Sequence, residues 1–376
     1  MNMSPCTSNH AHRFIESIIA ALVMFSTLED LIDLAKIVLA SLWKPWELVV
    51  TFFPHAWPVS WLTGSARFEP RISIRSLEGK IVLVTGGNSG LGEETILQLL
   101  LHGPRKIYLA ARSQEKAQRA IKRLQHKVWQ EGHIASSTIV WLKLDLANFR
   151  SVQIAAHEVL HNEERLDIVV LNAGIMACPR SKSISGHDLQ FATNYMGHFL
   201  LVHLLLPLLE KTAAIKDADV RIVTLSSEAL NIAPIKFLDL VEDHERLYVS
   251  SKYTRYGISK AANVLFAAEL ARQQNSKNIL SVSCHPGVIL TQLYSQSRDC
   301  NMILHFGLPL VARLFFDEVK QGALNTLWCV SAHREEICNG GYYTPVGRYR
   351  GHTLVDDQAK AARLRDWTSE ELADFL

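Results

Sequence analysis

Ile81-Val-Leu-Val-Thr-Gly-Gly-Asn-Ser-Gly-Leu-Gly92 is the stretch that decides how this chain folds. The apolar run Ile81–Val84 follows a turn-like Glu78-Gly79-Lys80 and reads as a buried strand. Thr85, Gly86, Gly87, Asn88, Ser89, Gly90, Leu91 and Gly92 then form a glycine-rich turn, and a helical pattern runs from Glu93 to Leu101. A strand, a glycine turn and a helix start together put backbone N–H groups and a positive helix end against a pyrophosphate. The glycines at 86, 90 and 92 are spaced by four and then two, unlike the commoner GxGxxG fingerprint. On its own the stretch also fits a surface turn, because glycine is common punctuation.

Working outward, further strands follow in a β–α alternation. Lys106–Ala111 reads as the second strand, with Arg112 just after it. A dinucleotide-binding sheet that prefers NAD carries an acid at this place, for the ribose hydroxyls. Here Ala111 stands at that place and Arg112 follows, and a guanidinium forks onto a phosphate. NADP(H) is the expected cofactor, although Arg112 also suits the polar face of the helix carrying Lys116, Arg119, Lys122, Arg123 and Lys127. The strand Ile139–Leu144 ends in Asp145-Leu146, and the run from Asp167 ends in Asn172-Ala173-Gly174. Arg221–Leu225 delivers Ser226 and Ser227, and Leu280–Cys284 delivers His285, Pro286, Gly287, Val288 and Thr291. Gly340–Thr344 reads as a last strand, and Thr368-Ser-Glu-Glu371 has the pattern of a capping box opening a final helix. Polar residues thus gather at the carboxyl ends of the strands, where ligands bind in parallel α/β sheets.

Tyr256-Gly-Ile-Ser-Lys260 supplies chemistry. Residues four apart project from one helix face, and a lysine ammonium beside a phenol favours the phenolate. Such a phenol exchanges a proton with an alcohol or carbonyl. Tyr253 is a rival, but Gly257 lies four residues beyond it, so it lacks a lysine partner.

In combination, TGGNSGLG, DL, NAG, Asn194-Tyr-Met-Gly-His-Phe199, SS, YGISK and HPGVILT resemble the short-chain dehydrogenase/reductases, and within them the retinol-dehydrogenase-like and fungal light-induced alcohol-dehydrogenase-like members. The resemblance runs from about Leu77 to the C-terminus. It implies an α/β fold, a doubly wound, Rossmann-type parallel sheet of about seven strands flanked by helices. It also implies roles: Tyr256 as general acid or base, and Lys260 holding the ribose hydroxyls. Ser227 would bind the substrate oxygen, with Ser226 its rival, and Asn194 would complete a proton relay through water and Lys260. Thr85 through Gly92 would cradle the pyrophosphate and Arg112 the extra phosphate. Asp145 and Leu146 would lie near the adenine, with Asn172, Ala173 and Gly174 beside the cofactor. Pro286 and Gly287, with Val288 and Thr291, would meet the nicotinamide end.

The 376 residues divide into an apolar N-terminal extension, 1–75, and an NADP-binding domain, 76–376. A net charge of +2 carries no nucleic-acid signature. The six cysteines form no CxxC pair and suggest a reducing compartment. The sixteen histidines show no HExxH spacing, and no metal is expected. In the extension, Phe14–Leu28 is apolar with Glu16 as its only charge, and four of the eight tryptophans fall between 43 and 61. This pattern suits an in-plane or re-entrant anchor at a membrane interface, with the catalytic domain facing the cytosol. A helical cap packed on a cytoplasmic enzyme is the alternative.

The segment Gln292–Asp317 mixes polar residues with Met302-Ile-Leu, Phe306, Leu308–Val311 and Leu314-Phe-Phe316 in the manner of an apolar lid, unless these residues only pack the lid on the domain. It suits a lipophilic alcohol, ketone or aldehyde: a retinoid, steroid, terpenoid or polyketide-like molecule, with secondary-metabolite biosynthesis as one setting. An NAD-preferring enzyme of the same family and a non-catalytic NADP-binding protein are the other readings.

Overall fold

The apolar runs pair into one sheet in the order β3-β2-β1-β4-β5-β6-β7-β8. The structure, a computed structural model, describes residues 68–132, 137–274, 278–287 and 319–376. The N-terminal anchor expectation, the lid at 292–317, Val288 and Thr291 lie outside the described residues.

The strands are β1 (Ile81–Thr85), β2 (Lys106–Ala111), β3 (Thr138–Lys143), β4 (Ile168–Leu171), β5 (Val220–Leu225), β6 (Ile279–Cys284), β7 (Tyr342–Thr344) and β8 (Arg348–Tyr349). β1 to β7 are parallel, and β8 folds back antiparallel on β7. The eighth strand is one more than expected. At two residues it is too short for alternation to mark it. The central strands read as unbroken apolar runs because both faces are covered. Along β1, Ile81 and Leu83 point into one core while Val82 and Val84 point into the other.

Seven longer helices cover the faces: α1 (Gly90–Leu100), α2 (Gln114–Gln130), α3 (Phe149–Asn162), α4 (Gly197–Ala213), α5 (Lys252–Gln274), α6 (Val319–Ser331) and α7 (Gln358–Glu371). Residues of α1, α2 and α6 pack with Val82 and Val84, and those of α3, α4, α5 and α7 with Ile81 and Leu83. α1 begins at Gly90, three residues earlier than its apolar pattern, inside the glycine stretch itself. The run Leu189–Ala213 has the length and hydropathy of a membrane span, but it is mostly buried as a core helix.

The Thr368–Glu371 stretch closes a helix rather than opening one. The actual N-cap is Asp357, whose side chain accepts from the Lys360 N–H. Thr368 Oγ1 lies 2.6 Å from the Leu364 carbonyl and 2.9 Å from the buried Tyr195 hydroxyl. Tertiary packing has taken the hydroxyl that a capping box would use.

Candidate active site

A cavity of about 300 Å³ opens at the carboxyl ends of the strands, where the chain order reverses between β1 and β4. One side is the glycine turn. Gly86 has φ +67°, a left-handed conformation open to glycine, and a Cβ on Gly92 would stand 2.4 Å from the Gly86 carbonyl. The turn and the first turn of α1 fit together only without side chains at these positions. Ser89, the residue before α1, makes no side-chain cap hydrogen bond, so the first N–H groups of the helix face the cavity uncapped by it.

The turn is tied to its neighbour strand. Asn172 Nδ2 donates to the Thr85 carbonyl at 2.8 Å, and the Ala173 N–H donates to Thr85 Oγ1 at 2.9 Å. Thr85 Oγ1 also lies 2.9 Å from His198 Nε2, and His198 Nδ1 lies 3.0 Å from the Asn194 carbonyl. A carbonyl only accepts, so Nδ1 carries the proton and Nε2 accepts from the threonine hydroxyl. Burial lowers the His198 pKa to about 4, which keeps the ring neutral for this arrangement. His198 therefore links the ends of β1 and β4 to the turn carrying Asn194.

That turn, Ala192–Met196, is a single π-helical turn entering α4. The carboxamide of Asn194 holds the backbone of Ile175: Oδ1 accepts from its N–H at 2.8 Å, and Nδ2 donates to its carbonyl at 3.0 Å. Nδ2 also donates to Ser259 Oγ at 2.9 Å. A Cβ on Gly174 would stand 3.2 Å from Asn194 Oδ1 and 3.5 Å from Lys260 Nζ. The bare glycine leaves space onto which both groups face.

The other side of the cavity is α5. Tyr256 and Lys260 are both buried and share one helix face, with Nζ 5.7 Å from the phenol ring centroid. Lys260 Nζ donates to the Leu225 carbonyl at 3.0 Å. Burial lowers its pKa to about 8, so the ammonium remains the main form at neutral pH. Ser226 lines the cavity, yet its hydroxyl donates to the Lys260 carbonyl at 2.7 Å. Ser227 is partly exposed, and its Oγ accepts from the Ala229 N–H, capping the short turn Glu228–Ile232. Gly257 lets α5 press on that turn: a Cβ there would stand 2.6 Å from the Ala229 carbonyl.

Of the residues singled out from the sequence, Thr85, Gly86, Asn88, Ser89, Gly90, Leu91, Arg112, Asp145, Leu146, Asn172, Ala173, Gly174, Tyr256, Lys260 and Pro286 line this one cavity. Gly92, Asn194, Ser227 and Gly287 are not in its wall. Lys116 is, together with Ser113 and Thr193, none of which the motifs had marked. Lys116 lies one helical turn beyond Arg112, a relation visible only once α2 is known to start at the cavity rim. Both cations are exposed, and among the described residues neither forms an ion pair with a carboxylate.

A family profile described as "short chain dehydrogenase" matches residues 80–237. A short-chain dehydrogenase/reductase of Armillaria gallica is 35% identical over 335 residues, spanning 88% of this chain and 99% of that one. Retinol dehydrogenase 12 of Mus musculus is 34% identical, over 79% of this chain and 87% of its own length. Among solved structures, an uncharacterized protein of Mycobacterium paratuberculosis superposes with a TM-score of 0.59 at 26% identity, covering 80% of this chain and 96% of that chain. An NADPH-bound carbonyl reductase from chicken fatty liver has the same fold, with a TM-score of 0.51 at 23% identity over 73% of this chain and all (100%) of that one. With this sheet order, this cavity and relatives matched along nearly their whole length, the chain belongs to the short-chain dehydrogenase/reductases, a family of oxidoreductases.

Proposed function

We propose that the protein is an NADP(H)-dependent oxidoreductase that interconverts a lipophilic alcohol and its carbonyl compound, with Tyr256 as the proton-transfer group. The carrying observation is the single cavity that has the uncapped α1 start and two exposed cations at one end and Tyr256 with Lys260 at the other. The residues present suit a phosphorylated dinucleotide: glycines where a Cβ would block the turn, and no acid at the end of β2. Arg112 and Lys116 would hold the additional phosphate, and a forked guanidinium suits that task. When bound, the nicotinamide donates or accepts the hydride.

In reduction, Tyr256 gives its phenolic proton to the oxygen of the substrate, and in oxidation it takes that proton back. Lys260, positive at neutral pH, stabilises the charge left on the phenol and holds the ribose hydroxyls. Ser227 hydrogen-bonds the substrate oxygen. Asn194 positions Ile175 and offers Oδ1 beside Lys260 for a water that returns the proton. The lipophilic substrate class rests on the likeness to retinol dehydrogenase 12 and on the apolar composition of 292–317. Attachment at a membrane through the tryptophan-rich N-terminal segment, with the catalytic domain in the cytosol, agrees with such a substrate. The fungal relatives make secondary-metabolite biosynthesis a suitable setting.

Titrating NADPH and NADH side by side against the wild type and Arg112→Asp tests the cofactor assignment. The wild type should prefer NADPH. Losing a charge-assisted phosphate contact, worth about 1.5–3 kcal/mol, should weaken NADPH binding by roughly 10- to 100-fold and leave NADH little changed. Equal NADPH affinity in both proteins would overturn it.

A further inference from the structure

Away from the cavity, three side chains with metal-ligating atoms converge from distant parts of the chain: His187, His244 and Glu371. His187 precedes the turn that leads to Asn194, His244 opens the short helix His244–Val249 ahead of α5, and Glu371 ends α7. His187 Nε2 lies 3.7 Å from Glu371 Oε2, and His244 Nε2 lies 3.4 Å from Glu371 Oε1. One ligand atom from each residue can be chosen so that all three lie within 4.8 Å of one another.

Both separations exceed the 2.7–3.2 Å of a good hydrogen bond. Each imidazole nitrogen meets a different oxygen of the Glu371 carboxylate, and with one ligand atom per residue the set spans up to 4.8 Å, so small side-chain shifts would bring it to the ~3.4 Å edges of a tetrahedron with ~2.0–2.1 Å metal–ligand bonds. The three groups lie together without hydrogen-bonding one another. Aromatic rings fix the imidazoles. Trp367 stands edge-on to His187 at 6.5 Å and to His244 at 5.7 Å, and Phe149 lies 5.8 Å from His187. Such an apolar shell orients ligands and limits water.

We propose that His187, His244 and Glu371 bind one divalent transition-metal ion, Zn²⁺ or an ion of like ligand preference, that clamps the C-terminal helix to the segments flanking the catalytic helix. Two imidazoles and one carboxylate suit this class, and a water completes the fourth position. None of the three residues lines the cavity, so the ion acts on architecture and not on the reacting atoms. Its connection to the site is short. Asp188, next to His187, pairs at 2.5 Å with the buried Arg255, which immediately precedes Tyr256. Gln190 Nε2 donates to the Lys252 carbonyl at the start of α5. The inference is independent of the cofactor reading.

The test is a Co²⁺ titration of the chelator-stripped full chain, followed by visible ligand-field absorption, then Zn²⁺ displacement and thermal unfolding with and without Zn²⁺. Glu371→Gln keeps the side-chain shape, and His244→Ala alters a half-exposed residue, so both should fold. The wild type should bind one equivalent and melt at a higher temperature with Zn²⁺. Each variant should bind at least about 10-fold more weakly, since loss of a supporting residue alone costs 10- to 100-fold, and should lose the Zn²⁺-dependent rise in Tm. No saturable single equivalent in the wild type, or equal binding by both variants, would overturn the proposal.

Discussion

Lys260 faces two ways from one buried position, toward the Tyr256 ring and toward the carbonyl of Leu225. If it both holds ribose hydroxyls and supports proton transfer, Lys260→Ala should weaken NADPH binding and lower the rate together. Titration and steady-state turnover of the same preparation check this, and a fall in rate with unchanged affinity would remove the ribose contact from the account. At this scale the glycine turn and the Tyr256–Lys260 pair were legible because each is a pattern contained within a few residues. The pair Tyr256 and Lys260 needs only one helix turn to meet. His198 was not legible as a linking residue. Its role depends on Thr85, which is 113 residues away, and on a carbonyl inside a π turn. Lys116 was read as one of several helix cations because nothing local says which of them faces a cavity.

On the proposed mechanism Ser227 and Tyr256 share one substrate oxygen, and the contact between α5 and the turn Glu228–Ile232 sets their separation. Gly257 permits that contact. Gly257→Ala should drive a Cβ into the Ala229 carbonyl, costing about 1–3 kcal/mol of stability and displacing the serine turn. The expected result is a lower Tm with kcat reduced more than NADPH affinity, read by thermal unfolding and turnover. An unchanged kcat would mean that the turn does not position the substrate. The strands of the sheet were legible as apolar runs bounded by glycine or polar turns, with ends shifted by a residue or two. The start of α1 was not, because two of its first three residues are glycines, which carry no periodic signal. The Thr368-Ser-Glu-Glu371 pattern opens no helix for a tertiary reason: Thr368 serves Tyr195 and its own helix.

The whole molecule holds several buried or half-buried histidines. Burial lowers the pKa of His198 to about 4 and also lowers those of His203 and His285. The folded state then binds fewer protons than the unfolded state below about pH 6.5, so stability falls as pH falls through that value. Tm should drop measurably between about pH 6.5 and 5, above the ordinary carboxylate range, and a flat profile there would contradict the lowering of these pKa values by burial. The parallel architecture was legible overall because β–α alternation repeats along the chain and allows few arrangements. The eighth strand, two residues folded back on β7, is too short to leave a pattern, and the His187, His244 and Glu371 cluster arises from contacts between remote segments, which no local pattern encodes.

The most direct test of Tyr256 as the proton-transfer group is oxidation of NADPH by lipophilic ketones and aldehydes, comparing the wild type with Tyr256→Phe at matched cofactor occupancy. The wild type should turn over, and the variant should bind NADPH almost as tightly while its rate falls roughly 10²–10⁴-fold. A variant that keeps most of the wild-type rate would contradict the assignment.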